Sequence, residues 1–216
     1  MARYSTDHKE KTRAAIVDAA AERIRSGGFD ALGVASIMAE AGLTHGGFYA
    51  HFPSRDALLA AAVTRLFEKA CETVDHFDRK HGEAALEKYV DFYLSPRHRD
   101  DREHGCPMPA LTGDAQRAAP QVKAAFEAGL DTLAERLGRL IPPTKERAGG
   151  KKAALALYGD MVGVLSVSRT MGDAKQSGEL LAGKRKAIAV YGLVQGAVSA
   201  PSSFETRLSG APQDEG

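Results

Sequence analysis

Apolar residues recur along this chain at intervals of three and four, and almost nowhere at strict intervals of two. That period matches the α-helix, and the abundance of Ala, Leu, Glu, Lys and Arg agrees with it, so the spacing predicts an all-α protein. At 216 residues, 44% of them hydrophobic, the chain can bury a core in one medium domain or two small ones. Its 29 Lys and Arg nearly cancel its 28 Asp and Glu, leaving a net charge of +1. Bulk electrostatics therefore exclude a polybasic wrapping protein, and any nucleic-acid site must be local. No stretch approaches the roughly 20 apolar residues of a membrane span. The longest candidate, around Leu155 to Val167, is broken by Gly159, Asp160 and Gly163. The polar N-terminus lacks the apolar run of a secretory signal, and Cys71 and Cys106 allow at most one disulfide. A cytoplasmic setting is the expectation.

The helices can be placed in order. Asp7 with Glu10 forms a capping box, and Ile16, Val17, Ala20 and Ile24 make one face before Gly27 and Gly28 stop the first helix. A short second helix carries Val34, Ile37, Met38 and Ala41 and ends at Gly42. A third opens at Leu43-Thr44, with Thr44 as cap and Leu43 and Phe48 as a hydrophobic staple. Ser54 caps the next, whose stripe from Leu58 to Val74 persists for about five turns. A helix bearing Leu86 to Tyr93 then leads into a charged, loop-like run from Ser95 to Gly105, followed by a ragged segment to Ala119. Pro120 starts a helix that Pro142-Pro143 breaks. The last two helices are predicted over about 151–171 and 178–198, the second capped by Ser177. The tail after Pro201 is expected to be flexible.

Residues 33 to 52 form two short helices joined by a tight turn at Gly42, the spacing of a helix-turn-helix. In that motif the N-terminal residues of the second helix point at base edges in the major groove, and here they are Thr44, His45, Gly46 and Gly47. Each glycine costs about 1 kcal/mol in a helix relative to alanine, and close approach of the backbone to DNA is a reason to keep them. Thr44, Tyr49, His51, Ser54 and Arg55 supply hydroxyl, imidazole and guanidinium groups for phosphates. Arg3, Lys9, Lys11 and Arg13 would add a salt-dependent component, Lys9 among them as a candidate contact.

The block from Ile16 to Leu66, above all Ala-Gly-Leu-Thr-His-Gly-Gly-Phe-Tyr-Ala-His-Phe-Pro-Ser-Arg-Asp-Ala-Leu at 41–58, resembles the DNA-binding domain of TetR/AcrR-type transcriptional regulators over about a quarter of the chain. The resemblance implies a three-helix DNA-binding domain over 1–55, with a connecting helix from about 55. It further implies a ligand-binding and dimerisation domain over 56–200 and a tail over 201–216. It also implies a homodimer that represses transcription from a palindromic operator and lets go when a small molecule binds. His45, Gly46 and Gly47 would face bases, with Thr44, Tyr49, His51 and Arg55 on phosphates. The chain departs from its relatives at Gly33 and Ala35, where Thr and a longer polar residue are common, and at Ala50, which is often long and polar. Base reading would then rely on few side chains and on DNA shape.

Gly159 and Gly163 in one of the final helices, and Gly192 and Gly196 in the other, permit close approach of a partner helix or packing within one subunit. By resemblance they would build a four-helix bundle across a two-fold axis. An inducer pocket would draw on Phe67, Cys71, Tyr89, Phe92, Tyr93, Met108, Phe126, Leu130, Tyr158, Met161 and Val162, alongside Cys106. With no acid cluster to select charge, an apolar or planar inducer fits better than a polyanion. The basic residues between Arg97 and His104 would lower the Cys106 thiol pKa, which leaves a thiol-based electrophile or oxidant sensor as the alternative. His98, His104 and Cys106 lack metal-ligand spacing, and the chain shows neither a phosphate-binding loop nor a nucleophile elbow. Neither metal, cofactor nor enzymatic activity is expected.

Overall fold

A computed structural model describes residues 2–141, 143 and 149–193, and every regular element in them is helical. Helix α1 runs Ala2–Gly27, α2 Val34–Glu40, α3 Arg55–His81 and α4 Ala85–Tyr93. Then come α5 Pro96–Asp100, α6 Met108–Arg117, α7 Pro120–Arg139, α8 Lys151–Thr170 and α9 Ala174–Leu193. None is long and apolar enough to cross a membrane.

Local chemistry accounts for most of the ends. Gly28 and Gly42 take φ of +74° and +70°, which close the turns after α1 and α2 at no steric cost. Ser54 caps α3, its hydroxyl accepting from the Ala57 N–H at 3.1 Å. Pro120 occupies the first turn of α7, where its missing N–H is no loss.

Four expectations are corrected. The first helix starts at Ala2, upstream of the Asp7–Glu10 box, and Asp7 instead pairs with Lys11 one turn on. The run after Ser95 contains α5, because Ser95 accepts from the His98 N–H while Pro96 presets the first turn. The ragged segment contains α6. Finally, α9 begins four residues before Gly178, with Asp173 accepting the N–H groups of Lys175 and Gln176. Ser177 is buried inside that helix and donates to the Ser168 carbonyl rather than capping. Gly196 and the tail from 201 lie outside the described residues.

Helix α3 is the spine. Its stripe of Leu58, Leu59, Ala62, Val63, Leu66, Phe67, Cys71 and Val74 is buried against α1 on one side and α7 on the other. Helix α7 passes the core on to α8, and α8 packs on α9. The N-terminal helices close around Ile16, Ile24, Ile37, Met38, Phe48 and Phe52, all buried. An ion pair between Arg23 and Glu40 joins α1 to α2.

Candidate DNA-binding surface and ligand cavity

After Gly42 the chain enters a 3-10 helix, His45–Ala50, where a regular α-helix is expected from the sequence. Two consecutive glycines weaken helix propensity there, and Thr44, placed at the start, makes no side-chain cap. The segment is held from below. Phe48 is 2% exposed and stacks on Phe52 with centroids 5.9 Å apart, and Arg13 lies over the Phe52 ring.

Its outer surface is open. Tyr49 is 69% exposed, and Thr44, Gly46 and Lys9 are exposed too. A Cβ built on Gly46 would meet nothing within 4 Å, and one on Gly47 would make only ordinary contacts with Met38 and Thr44. Neither glycine takes a positive φ. Among the described residues nothing requires them to be glycine.

His51 is half-buried, with its Nδ1 enclosed and unpartnered among the described residues, and Ser54 is occupied as a cap. Arg55, anticipated on phosphates, is exposed, and its guanidinium also reaches back to the backbone. Its Nε donates to the Leu32 carbonyl and its Nη2 to the Phe29 carbonyl, clamping α3 to the turn after α1. Losing these bonds in Arg55→Ala is expected to lower stability by about 1–2 kcal/mol in urea unfolding, while leaving the salt dependence of DNA binding unchanged. A shallower salt slope would return Arg55 to the phosphate-contacting set.

The ligand candidates divide. Tyr89, Phe92, Tyr93, Cys106 and Tyr158 line one cavity of about 260 Å³ bounded by α1, α3, α4, α8 and the loop before α6. Phe67 and Cys71 border a shallow groove between α3 and α7. Phe126 is core, its ring against Phe67 and Phe29. Met161 is fully buried, and Leu130, Met108 and Val162 pack half-buried on the same core.

Around Cys106 the chain builds a polar knot. The Cys106 backbone N–H donates to His98 Nε2 at 2.9 Å, which fixes the proton on Nδ1, 2.6 Å from the Tyr93 carbonyl. Burial holds the His98 pKa down, so the ring is neutral. The Cys106 sulfur lies 2.8 Å from the Tyr158 hydroxyl. Burial also pushes the thiol pKa up, opposite to the expected effect of the basic run. Of those basic residues, Arg99 pairs with Asp100 and Arg102 reaches the Arg169 carbonyl, while His98 stays beside Cys106 without its charge. Sequence reasoning missed Arg25, which also lines this cavity. It reads as an ordinary cation at a helix C-terminus, and only the packing of α1 reveals it.

A three-helix head that exposes a glycine-bearing turn, joined by a long helix to a bundle with an internal cavity, defines a helix-turn-helix DNA-binding transcriptional regulator. Residues 16–62 match the model of "Bacterial regulatory proteins, tetR family". That segment places the N-terminal domain with the TetR family of transcriptional regulators. Among solved structures, the reduced form of NemR from E. coli superposes with a TM-score of 0.69 at 16% identity, covering 82% of this chain and 95% of NemR. A TetR transcriptional regulator from Chloroflexus aurantiacus gives 0.66 at 23%, over 86% and 96%. A TetR-family regulator from Agrobacterium tumefaciens gives 0.64 at 18%, over 83% and 98%. No curated protein matches the chain significantly. At such identities the structural likeness concerns the fold.

Proposed function

We propose that this protein is a cytoplasmic homodimeric repressor that holds a palindromic operator and releases it when a small molecule enters the cavity beside Cys106. Residues 1–55 form the DNA-binding unit and 56–200 the ligand-binding and dimerisation unit. The observation that carries this reading is the exposure of Thr44, Gly46 and Tyr49 on one turn, with two glycines whose size no described residue requires. Thr44, His45, Gly46, Gly47 and Tyr49 meet the duplex, with Lys9 adding charge from α1.

Two hydrogen bonds support communication between the units. Asp114 of α6 accepts the Phe29 N–H at 2.9 Å, and Arg25 of α1 donates to the Glu103 carbonyl at 3.0 Å. The second joins α1 to the loop that borders the cavity, and the first ties the turn after α1 to α6. Dimerisation is assigned to α8 and α9. Gly159 and Gly163 are exposed, and a Cβ on either would meet no described atom within 4 Å, which argues against packing inside one subunit. The neighbouring Leu155 and Val167 are exposed apolar residues on the same four-residue repeat, 38% and 54%.

The test is electrophoretic retardation of DNA from upstream of the protein's own gene. Tyr49→Ala is expected to weaken binding about tenfold, as loss of one good hydrogen bond to a charged group does. Its melting temperature should stay put because the ring is exposed. The wild-type affinity should fall log-linearly with salt. Equal retardation of both proteins, or no shift at low salt, would refute the assignment.

A further inference from the structure

We propose that the cavity beside Cys106 takes a small organic acid, a carboxylate on a body of one or two rings, with Arg25 and Tyr93 as the carboxylate's hydrogen-bond donors. This rests on the regulator reading above and names the ligand chemistry of that site.

Arg25 is 6% exposed and Tyr93 2%, and both line the cavity. Among the described residues, the Arg25 Nε and the Tyr93 hydroxyl are buried without a hydrogen-bond partner. Buried polar groups in folded proteins are nearly always paired. The Arg25 Nε has no acceptor among them and the Tyr93 hydroxyl has only the Cys106 sulfur, a weak acceptor, beside it, so the cavity wall lacks a good acceptor.

Charge narrows the choice. The Arg25 Nη1 donates to the Glu103 carbonyl, a neutral group, so no anion is hydrogen-bonded to the guanidinium among the described residues. Glu22, exposed at the cavity's edge, and Asp101 act on it only through space, and neither bonds to it. A guanidinium keeps its charge at any physiological pH, and burying it without an anion is costly. A cationic ligand would be repelled, whereas a carboxylate presents two oxygens to the two donors. Lys69, also on the wall, is already paired with Asp18, so one negative charge suffices.

The remaining wall sets the body of the ligand. Leu66, Tyr89, Phe92 and Tyr158 offer apolar and aromatic surface, beside a thiol that burial keeps protonated. A volume of about 260 Å³ is just below the roughly 300–1,000 Å³ of drug-sized sites, which favours one or two rings over a long chain. Because Arg25 belongs to α1, a bound carboxylate would act directly on a helix of the DNA-binding head.

Isothermal titration of the full chain with benzoate and 2-naphthoate, against the near-isosteric benzamide and 2-naphthamide, tests this. At least one carboxylate is expected to bind tenfold or more tightly than its amide. Arg25→Gln should lose about ten- to hundredfold in carboxylate affinity and abolish the preference, as removal of a charge-assisted hydrogen bond does. Tyr93→Phe, which deletes one oxygen and keeps the test valid should Arg25→Gln fold poorly, should lose about five- to tenfold. Amides binding as well as acids, no carboxylate binding, or undiminished binding by the folded variants would each overturn the proposal. DNA retardation is measured in parallel. A protein that binds the acids as expected but does not shift DNA would sink the regulator reading alone, and one that shifts DNA but shows no acid preference would sink the ligand class alone.

Discussion

Gly163→Arg is expected to leave the individual chain at least as stable while converting a dimer into monomers and weakening operator binding by about two orders of magnitude. The first half follows from local geometry. Gly163 lies inside α8 and is exposed, and an added Cβ would touch no described atom within 4 Å. Replacing a helical glycine by arginine should then gain a few tenths of a kcal/mol or more in helix propensity. The second half follows from the partner face. Gly159, Gly163 and Val167 recur every four residues on an outer strip of α8, and a long cation in its middle would hold two such strips apart. Two DNA-binding heads joined in one molecule gain about 10²- to 10⁴-fold over one through effective concentration, and a monomer forfeits that. Light scattering after size exclusion reads the oligomeric state, and retardation reads the affinity. A variant that stays dimeric would remove α8 from the interface. One that becomes monomeric and still binds a palindrome at full strength would remove the need for a dimer.

The second large effect is on stability. Phe48→Ala should destabilise the DNA-binding head by about 3–5 kcal/mol, the usual range for emptying a buried phenylalanine site. Phe48 is 2% exposed, stacks on Phe52 and meets the Tyr49 ring edge-on at 5.3 Å. The segment it anchors is a short 3-10 helix with little stability of its own, so its position depends on this buried ring. Native domains hold only about 5–15 kcal/mol in total, so the loss is a large share. Urea unfolding of Phe48→Ala and Tyr49→Ala checks it by contrast. Adjacent residues of similar size should differ widely, the buried one costing stability and the exposed one costing DNA affinity. Similar stability losses for both would mean that the turn is not anchored as described.

The opposite roles of Phe48 and Tyr49 show where sequence sufficed. The apolar period, the glycines at 28 and 42, Ser54 and the Pro120 start are local signals, and the helices and turns they announce are present. Positions 44–50 were legible as the exposed second element of a helix-turn-helix, though its 3-10 geometry was not, because helix type there depends on how Phe48 seats against the core. The place of Ser177 and the backbone bonds of Arg55 were not legible for one reason. A polar side chain near a predicted helix end suits capping or phosphate contact equally well until its neighbours in space are known. Ser177 turned out to be buried beside Ser168, and Arg55 reaches across the chain to Phe29 and Leu32.

What the sequence alone determined is the helical architecture and the family, because both are written in spacings of three to seven residues and in a contiguous block from Ile16 to Leu66. What only the tertiary structure decided is the chemistry of the cavity. Arg25, Tyr93, Cys106 and Tyr158 come from four separate segments, and of the basic run Arg99 and Arg102 face other partners while burial keeps the Cys106 thiol protonated. Pairing of donors with acceptors depends on distance in space, and desolvation on the whole surrounding shell, so neither quantity exists until the helices have packed.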